Sequence, residues 1–215
     1  MPKAGENIRE LARERRTEAL KHLAFSGYLV IAPLIMPLPA GLKILFLIGC
    51  WIGAFVLYQK AQYLLLRANL ADQGAEGEET VAQLLRPLEH QGWEIEYNIP
   101  LSRWGDADAF LQSPKGNCFV IDAKTNKGKV FYDGAVLMLR YGKQVYEFSN
   151  DKNILKAVKG QARAIKELKQ VKFVRPVLCF TQANLSGINQ NNMIDSVYVV
   201  DTINLLRLLD RFESK

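Results

Sequence analysis

The chain is poor in the side chains that bind zinc or form disulfides. Its 215 residues include only three cysteines and two histidines. Cys50, Cys118 and Cys179 each lie inside an apolar run, without a CxxC pair or a nearby set of histidines. A role as small buried hydrophobic residues explains them, and an odd number without a framework fits a reducing compartment. The sequence therefore shows no zinc site.

Charge is nearly absent from residues 23–58, where Lys43 is the only charged side chain. Pro37, Pro39 and Gly41 interrupt this run and predict a turn between two apolar arms. A membrane-spanning helix needs about 20 apolar residues, and so long a run with one charge is rare in soluble domains. The pattern predicts a transmembrane helical hairpin. A re-entrant hairpin in one leaflet and a buried hairpin in a soluble fold are the alternatives.

Basic residues flank both apolar arms. They are Arg9, Arg13, Arg15, Arg16 and Lys21 before the run, and Lys60 and Arg67 after it. Because positive charge favours the cytoplasmic side, this pattern places both termini in the cytoplasm. We expect the bacterial inner (cytoplasmic) membrane as the location and the lipid bilayer as a partner. The late start and the length of the run argue against a cleaved signal peptide.

These features divide the chain into four predicted segments. A charged cytoplasmic helix covers residues 1–22, the transmembrane hairpin residues 23–58, a linker helix residues 59–73, and a cytoplasmic domain residues 74–215. The formal net charge is +6 and the pI is about 9.2. A basic chain suits a polyanionic partner, and the charge alone does not separate nucleic acid from an anionic membrane surface.

Two predicted strands carry charged residues at a spacing of two. Asp122 and Lys124 follow an apolar strand, and Asp106 and Asp108 lie in the strand before it. Side chains two residues apart on a strand share a face. An acid and a base therefore emerge side by side at a sheet edge, where metal-dependent phosphodiester hydrolysis needs them. Asp-x-Lys is also frequent by chance, and such a pair is then a surface ion pair of little energetic weight.

A third acidic stretch lies at residues 74–79, just before an apolar stripe. The stripe has three- and four-residue spacing and predicts a helix over about residues 77–88. Glu78 would project from the first turn of this helix, on nearly the same side as Val81. The helix dipole favours an acid there by about 0.3–1 kcal/mol, which explains the glutamates of this stretch without any function.

This order of elements resembles the nuclease-related domain (NERD) family, a branch of the PD-(D/E)xK nuclease superfamily. The resemblance covers about residues 74–182. The residues that carry it are Gly74, Gly77, Glu78, Asp108, Gly116, Asp122, Lys124 and Gln161. It implies an α/β fold with a restriction-endonuclease-like αβββαβ core and a mixed sheet, preceded by the α-helical hairpin. Residues 74–215 would then form the NERD nuclease-like domain.

The resemblance also implies a metal site. Asp108 and Asp122 would hold Mg²⁺ (or Mn²⁺) together with the carbonyl of Ala123, and Glu78 would contribute directly or through water. Hard divalent cations favour such oxygen ligands, and a cation relieves the repulsion between converging carboxylates. Asp106 is a reserve candidate, because it shares the face of Asp108.

Two further residues have implied roles in catalysis. Lys124 would orient the attacking water or stabilise the phosphate, and Gln161 would position Lys124 or that water. Gln161 lies in the middle of the apolar face of a helix predicted for about residues 153–169. A buried amide without a partner costs about 1–3 kcal/mol. The resemblance places it beside the strand of Asp122, and the alternative is a core glutamine that caps a strand carbonyl.

The predicted activity is membrane-anchored, metal-dependent hydrolysis of phosphodiester bonds in nucleic acid, with DNA the expected form. Lys127 and Lys129 lie in a basic turn after Lys124 and would contact substrate phosphates, although an ordinary hairpin loop explains them equally. One alternative is a catalytically inactive, membrane-tethered DNA-binding module. Another is a structural subunit of a membrane DNA-transfer or secretion complex, which would bind other subunits or a second copy of itself.

Overall fold

The computed structural model describes residues 4–148 and 153–214. The chain forms two compact units. One unit is Asn7–Gln73, and the other consists of Gly74–Lys215 together with the start of the chain up to Glu6. Cys118 and Cys179 are buried free thiols, as the apolar runs around them predict, and Cys50 is a partly buried free thiol.

The unit at Asn7–Gln73 is helical. It contains most of α1 (Glu6–Ile35) and the first part of α2 (Ala40–Glu89), joined by the short turn that the prolines predict. Ala12 packs with Ala68 and Ala71, and the hydroxyl of Ser26 donates a hydrogen bond of 2.8 Å to the carbonyl of Ala54. The two helices therefore run antiparallel and make contact through small residues.

Both α1 and α2 are long and apolar enough to cross a membrane, judged by length and composition. Only 17% and 6% of their most apolar stretches are buried. Large hydrophobic side chains are exposed along both helices, among them Phe25, Ile31, Ile35, Leu42, Leu45, Trp51, Ile52 and Phe55. A core hairpin of a soluble fold would bury such side chains, so the exposure suggests membrane association.

The predicted start of a separate helix at about residue 77 is wrong. The linker helix and the first helix of the domain are one continuous element, because α2 extends through both to Glu89. Glu78 consequently lies well inside α2 and not in a first turn, so the helix dipole does not explain its position. Glycine lowers helix propensity without breaking a helix, and Gly77 is accommodated within α2.

The domain contains ten strands among the described residues. They are β1 (Glu94–Ile99), β2 (Ala107–Gln112), β3 (Cys118–Lys124), β4 (Gly128–Tyr132), β5 (Leu137–Tyr141), β6 (Gln144–Glu147), β7 (Val174–Phe180), β8 (Ala183–Asn184), β9 (Met193–Ile194) and β10 (Val197–Asp201). Six of them form a mixed sheet in the order β1-β2-β3-β7-β10-β9. Neighbours are antiparallel from β1 to β3, parallel from β3 to β10, and antiparallel again at β9. A second sheet has the order β6-β5-β4-β8.

Helices cover both faces of the larger sheet. The last part of α2 and the closing helix α4 (Thr202–Glu213) pack on one face around Leu85, Phe119 and Leu209. Helix α3 (Ile154–Lys169) packs on the other face around Val120 and Ile165. This arrangement confirms the predicted mixed α/β fold with a nuclease-like core. The carboxyl end of β3 is the part of this strand that becomes partly exposed.

A side chain of β10 caps the start of α4. Threonine is a common cap, and the sequence therefore favours Thr202, but the N-cap residue is Asp201, whose side chain accepts a hydrogen bond of 2.8 Å from the backbone N–H of Asn204. Thr202 is already the first helical residue. Both residue types are good caps, and the difference of one position follows from where β10 ends.

Candidate functional site

Asp122 and Lys124 mark the point where β3 leaves the core. The strand is buried from Cys118 to Asp122, and its last two residues are partly exposed. The ammonium of Lys124 lies 2.6 Å from Oδ2 of Asp122, so the two side chains form an ion pair on one face of the sheet. Asp122 is only 6% exposed, which makes this pair different from an ordinary surface ion pair.

Asp108 reaches the same place from β2. The last register pair between β2 and β3 at this end is Ala109 with Ile121, so the next position would place Asp108 opposite Asp122. The ladder is replaced there by a side-chain contact, because the backbone N–H of Ala123 donates a 2.6 Å hydrogen bond to Oδ2 of Asp108. Directly opposite residues on antiparallel strands share a face, so two carboxylates meet at the splayed end of the pair.

Glu78 completes the group from α2. Gly77 allows this approach, since a Cβ at its position would lie 2.2 Å from Cγ2 of Thr125, the residue after β3. Glu78 is buried at 7% exposure, and its carboxyl group is close enough to that of Asp108 for each to influence the pKa of the other. Its Oε2 also accepts a hydrogen bond of 3.0 Å from the backbone N–H of Gly5.

The pKa values of Glu78 and Asp108 are raised in this group. Burial raises the pKa of Glu78 to about 7, and the negative charge of Asp122 adds to the shift, while the N–H of Gly5 and the ammonium of Lys124 oppose it. Burial also raises the pKa of Asp108 well above its usual range, reinforced by the charges of Asp122 and Glu78. Bringing like charges together out of water disfavours the ionised form, and a bound cation would remove that penalty.

Lys124 stays charged in this surrounding. Burial works against its ammonium, but the charges of Asp122, Asp108 and Glu78 outweigh burial, so the net effect is a raised pKa. A lysine with a raised pKa does not accept protons at neutral pH. Its available chemistry is that of a fixed positive charge and a hydrogen-bond donor.

The donor set fits a hard divalent cation. One oxygen of each carboxylate is engaged by a group of the chain. Glu78 accepts from the N–H of Gly5, Asp108 accepts from the N–H of Ala123, and Asp122 pairs with Lys124. The second oxygens are the ones available to a cation, and carboxylate oxygens are what Mg²⁺ and Mn²⁺ prefer. Within residues 4–148 and 153–214, no three His, Cys, Asp or Glu side chains are already spaced as metal ligands.

Gln161 and Asp106 do not belong to this group. The amide nitrogen of Gln161 donates a 3.0 Å hydrogen bond to the backbone carbonyl of Asp106, while the side chain of Asp106 itself is exposed. This bond matches the alternative of a core glutamine that caps a strand-end carbonyl. The amide oxygen of Gln161 is buried and has no hydrogen-bond partner among the described residues.

Lys127 and Lys129 lie just beyond the group. Lys127 is exposed in the connection from β3 to β4, and Lys129 is exposed in β4 directly opposite Arg140 of β5. The guanidinium of Arg140 stacks on the ring of Phe131 at 5.2 Å from the ring centroid. These side chains form a positively charged surface that begins three residues after Lys124.

Residues 73–181 match the model of the nuclease-related domain family, which is just over half of the chain. The chain belongs to the NERD family. No curated protein and no solved structure matches it significantly. The match to the NERD family includes all five residues predicted for catalysis, Glu78, Asp108, Asp122, Lys124 and Gln161. The structure brings the first four of them together, and the fifth, on α3, contacts the residue that precedes β2.

Two groups around the NERD carboxylates are not apparent from the sequence. The N–H of Ala123 binds Asp108, whereas the resemblance implies a role for the carbonyl of this residue. The N–H of Gly5 comes from a segment outside the family match and 73 residues away from Glu78. Backbone groups carry no residue-type signal, so sequence patterns cannot reveal either contact.

Gly77→Ala tests how the NERD helix reaches the strand end. We expect a fall of several degrees in the melting temperature, because the new Cβ would push α2 away from Thr125 and displace Glu78. Thr125→Ser removes the clashing methyl group, so the double variant should recover most of the wild-type melting temperature. Thermal unfolding of the four proteins in a double-mutant cycle measures this coupling. Additive effects would show that the close approach of these two residues does not position the site.

Proposed function

We propose that this NERD protein is a membrane-anchored, metal-dependent nuclease that hydrolyses phosphodiester bonds of nucleic acid, with DNA as the expected substrate. One observation carries the proposal. Three carboxylates and one lysine, contributed by α2, β2 and β3, meet at the carboxyl end of β3. The family supplies the nuclease-related character, and the geometry supplies groups that suit this chemistry.

Mg²⁺ or Mn²⁺ would be held by Asp108, Asp122 and Glu78 and would supply Lewis-acid activation of the scissile phosphate and of water. The raised pKa values of Glu78 and Asp108 agree with this fit, because burial, followed by the charges of neighbouring acids, disfavours their ionised forms when no cation is bound. The ion pair between Asp122 and Lys124 leaves one oxygen of Asp122 to share with the cation.

Lys124 provides the fixed positive charge of the site. Its ammonium lies 2.6 Å from Asp122 and is partly exposed, so it can reach a phosphate oxygen while it remains protonated. The negative charge on the phosphate grows as the water oxygen approaches phosphorus, and a preorganised cation stabilises that charge more than it stabilises the bound substrate.

A carboxylate of the group or solvent would accept the proton of the attacking water, because Lys124 is already protonated. The phosphorus–oxygen bond to the leaving sugar then breaks, and the departing oxygen takes a proton. Lys124 and solvent are the available donors for that proton.

Substrate contacts would extend from the site along β4. Lys127, Lys129 and Arg140 are exposed, and Lys129 and Arg140 lie directly opposite each other. Like charges in this position cost stability, and a phosphate backbone would offset the cost. We therefore propose Lys127 and Lys129 as contacts for the phosphates that flank the scissile bond.

The proposed anchor is the hairpin formed by α1 and α2 in the bacterial cytoplasmic membrane. Arg16 forms an ion pair with Asp72, and Arg15 donates a hydrogen bond of 3.2 Å to the carbonyl of Arg67. The residues before and after the apolar arms are therefore side by side, which suits a hairpin whose two ends lie in the cytoplasm.

A nuclease assay on the full chain in detergent micelles tests the proposal. We expect cleavage of plasmid or single-stranded DNA with Mg²⁺ or Mn²⁺ and none with EDTA. Asp122→Asn should remove the activity, because it deletes a cation ligand and the partner of Lys124. Asp133→Asn is the matched control, since Asp133 is an exposed aspartate in a turn and should leave the rate unchanged.

A second candidate function is a DNA-binding module without nuclease activity. Two observations favour it. Lys124 pairs with Asp122, and in the described part of the chain no three His, Cys, Asp or Glu side chains are spaced as metal ligands. It predicts salt-sensitive DNA binding without cleavage under any divalent metal. A protein that neither binds nor cuts DNA would contradict both candidates and favour a structural subunit of a membrane complex.

A further inference from the structure

Gly5, near the start of the chain, forms a hydrogen bond with Glu78, one of the carboxylates of the site. The backbone N–H of Gly5 donates to Oε2 of Glu78 at 3.0 Å, and the bond is buried. Gly5 immediately precedes α1 and lies outside the residues that match the NERD family. A segment that the family match does not include therefore supplies a donor to one of the three clustered acids.

Glycine is required at this position for two reasons. The backbone of Gly5 has a φ angle of +73°, which residues other than glycine rarely adopt. A Cβ on Gly5 would also lie 2.9 Å from the carbonyl oxygen of Ala75 and 3.2 Å from its Cα. Ala75 and Glu78 are one helical turn apart on α2, so the peptide of Gly5 lies directly on the turn that carries the acid.

The spacing of small residues shows that this contact is part of a regular pattern. Gly5 stands seven residues before the first member of the buried series of α1, which is Ala12, Ala19, Ser26 and Pro33. Four of the buried alanines of α2 repeat the same interval, at Ala54, Ala61, Ala68 and Ala75, and the buried Ala71 lies outside this series. Small residues at a seven-residue interval let two helix backbones approach closely. In sequence, Gly5 and Ala75 continue these two series to the position of the site.

We propose that Gly5 is a positioning residue: its N–H fixes Oε2 of Glu78 and thereby directs the other oxygen toward Asp108 and Asp122, where the divalent cation would bind. The metal part of this inference rests on the proposed function. Hydrogen bonds from the surroundings that orient a ligating carboxylate typically change metal affinity or activity by about 10–100-fold when they are lost. The hydrophobic hairpin begins on the same helix that Gly5 precedes, so the anchor and the site share this connection along the chain.

The first measurement is Mn²⁺ affinity of the full chain, followed by the electron paramagnetic resonance signal of free Mn²⁺. Gly5→Ala should raise the dissociation constant about 10–100-fold, because the strained and crowded alanine withdraws the donor from Glu78. Gly142→Ala is the matched control, since Gly142 also has a positive φ (+61) but has no atom within 4 Å of a Cβ. It should carry the same backbone strain and leave Mn²⁺ affinity unchanged.

The second measurement is hydrogen exchange of the Gly5 amide by NMR, with ¹⁵N-glycine in the full chain. The amide should exchange slowly in the wild type and at least tenfold faster in Glu78→Ala, which removes the acceptor and leaves Gly5 untouched. This readout needs neither metal nor DNA, so it remains informative if Gly5→Ala fails to fold.

The outcomes separate this inference from the proposed function. Unchanged or tighter Mn²⁺ binding by Gly5→Ala, or an exchange rate that Glu78→Ala leaves unchanged, would overturn the role of Gly5 while wild-type cleavage stands. Weaker Mn²⁺ binding by Gly5→Ala in a protein that never cuts DNA would support the role of Gly5 and contradict the nuclease. A wild-type chain that binds no Mn²⁺ would overturn both.

Discussion

Lys124→Ala should reduce metal-dependent DNA cleavage by the full chain by about 10²–10³-fold, the range found when a preorganised charge-stabilising group is removed from an active site. Lys124 is the cation that the structure places against Asp122, and the surrounding acids keep its pKa raised, so it remains charged at neutral pH. Without it, the growing charge on the phosphate would face three carboxylates with no protein cation beside them. Initial rates of plasmid cleavage measure the effect.

Controls must separate lost chemistry from lost folding. The substitution leaves Asp122 buried and unpaired, which is costly in itself. Lys124→Arg keeps the charge and the pair, and it should fold normally yet cleave more slowly because the planar guanidinium presents its donors differently. Lys172→Ala removes an exposed lysine next to β7 at the opposite end of the sheet and should leave the rate unchanged. Wild-type activity in Lys124→Ala would end the proposed mechanism.

The metal-free protein should lose stability as the pH rises from about 4.5 to about 7. Folding raises the pKa of Glu78 from 4.5 to about 7 and that of Asp108 above its usual range, so in this interval the folded state binds protons that the unfolded state releases. The free energy of unfolding therefore falls with rising pH. The shift of Glu78 alone corresponds to at most about 3 kcal/mol, complete above pH 7.

Glu78→Gln isolates this effect. Glutamine keeps an oxygen that can accept the N–H of Gly5 but never ionises, so the variant should melt several degrees above the wild type at pH 8 in EDTA and should lack most of the pH slope. Mg²⁺ should raise the melting temperature of the wild type at pH 8, because a ligand that binds only the folded state stabilises it. Thermal unfolding followed by tryptophan fluorescence measures both.

Glu147→Gln is the matched control for the melting series, because Glu147 is an exposed glutamate in the edge strand β6. It should reproduce the wild-type slope. A wild-type melting temperature that rises between pH 4.5 and 7, or a Glu78→Gln variant with the wild-type slope, would show that the carboxylates are not crowded in solution.

Local patterns predicted the parts of the site that lie on strands. The period of two places Asp122 and Lys124 on one face, and the ion pair at 2.6 Å follows from it. The position of Asp108 follows once β2 and β3 pair as antiparallel neighbours. Glu78 is different, because only the family resemblance distinguishes it from the neighbouring glutamates. Its approach depends on the absence of a side chain at Gly77 beside Thr125.

The sequence alone did not settle features whose partners lie elsewhere in the fold. The apolar face around Gln161 correctly predicts burial, but the choice between Lys124 and a strand carbonyl depends on where α3 crosses the sheet, and the carbonyl of Asp106 is the partner. The helix boundary near Gly77 was wrong because glycine has a weak local cost, which continuous packing of α2 overrides.

By itself the amino-acid order determined the apolar hairpin, the strands, the mixed α/β class and the faces on which Asp108, Asp122 and Lys124 stand, because hydrophobic periodicity and turn residues act over short distances along the chain. Only the tertiary structure decided that Glu78 joins them, that the N–H of Ala123 binds Asp108 and that the N–H of Gly5 binds Glu78. These contacts join residues far apart in sequence through backbone groups that every residue possesses, so they exist only once the sheet and its covering helices have packed.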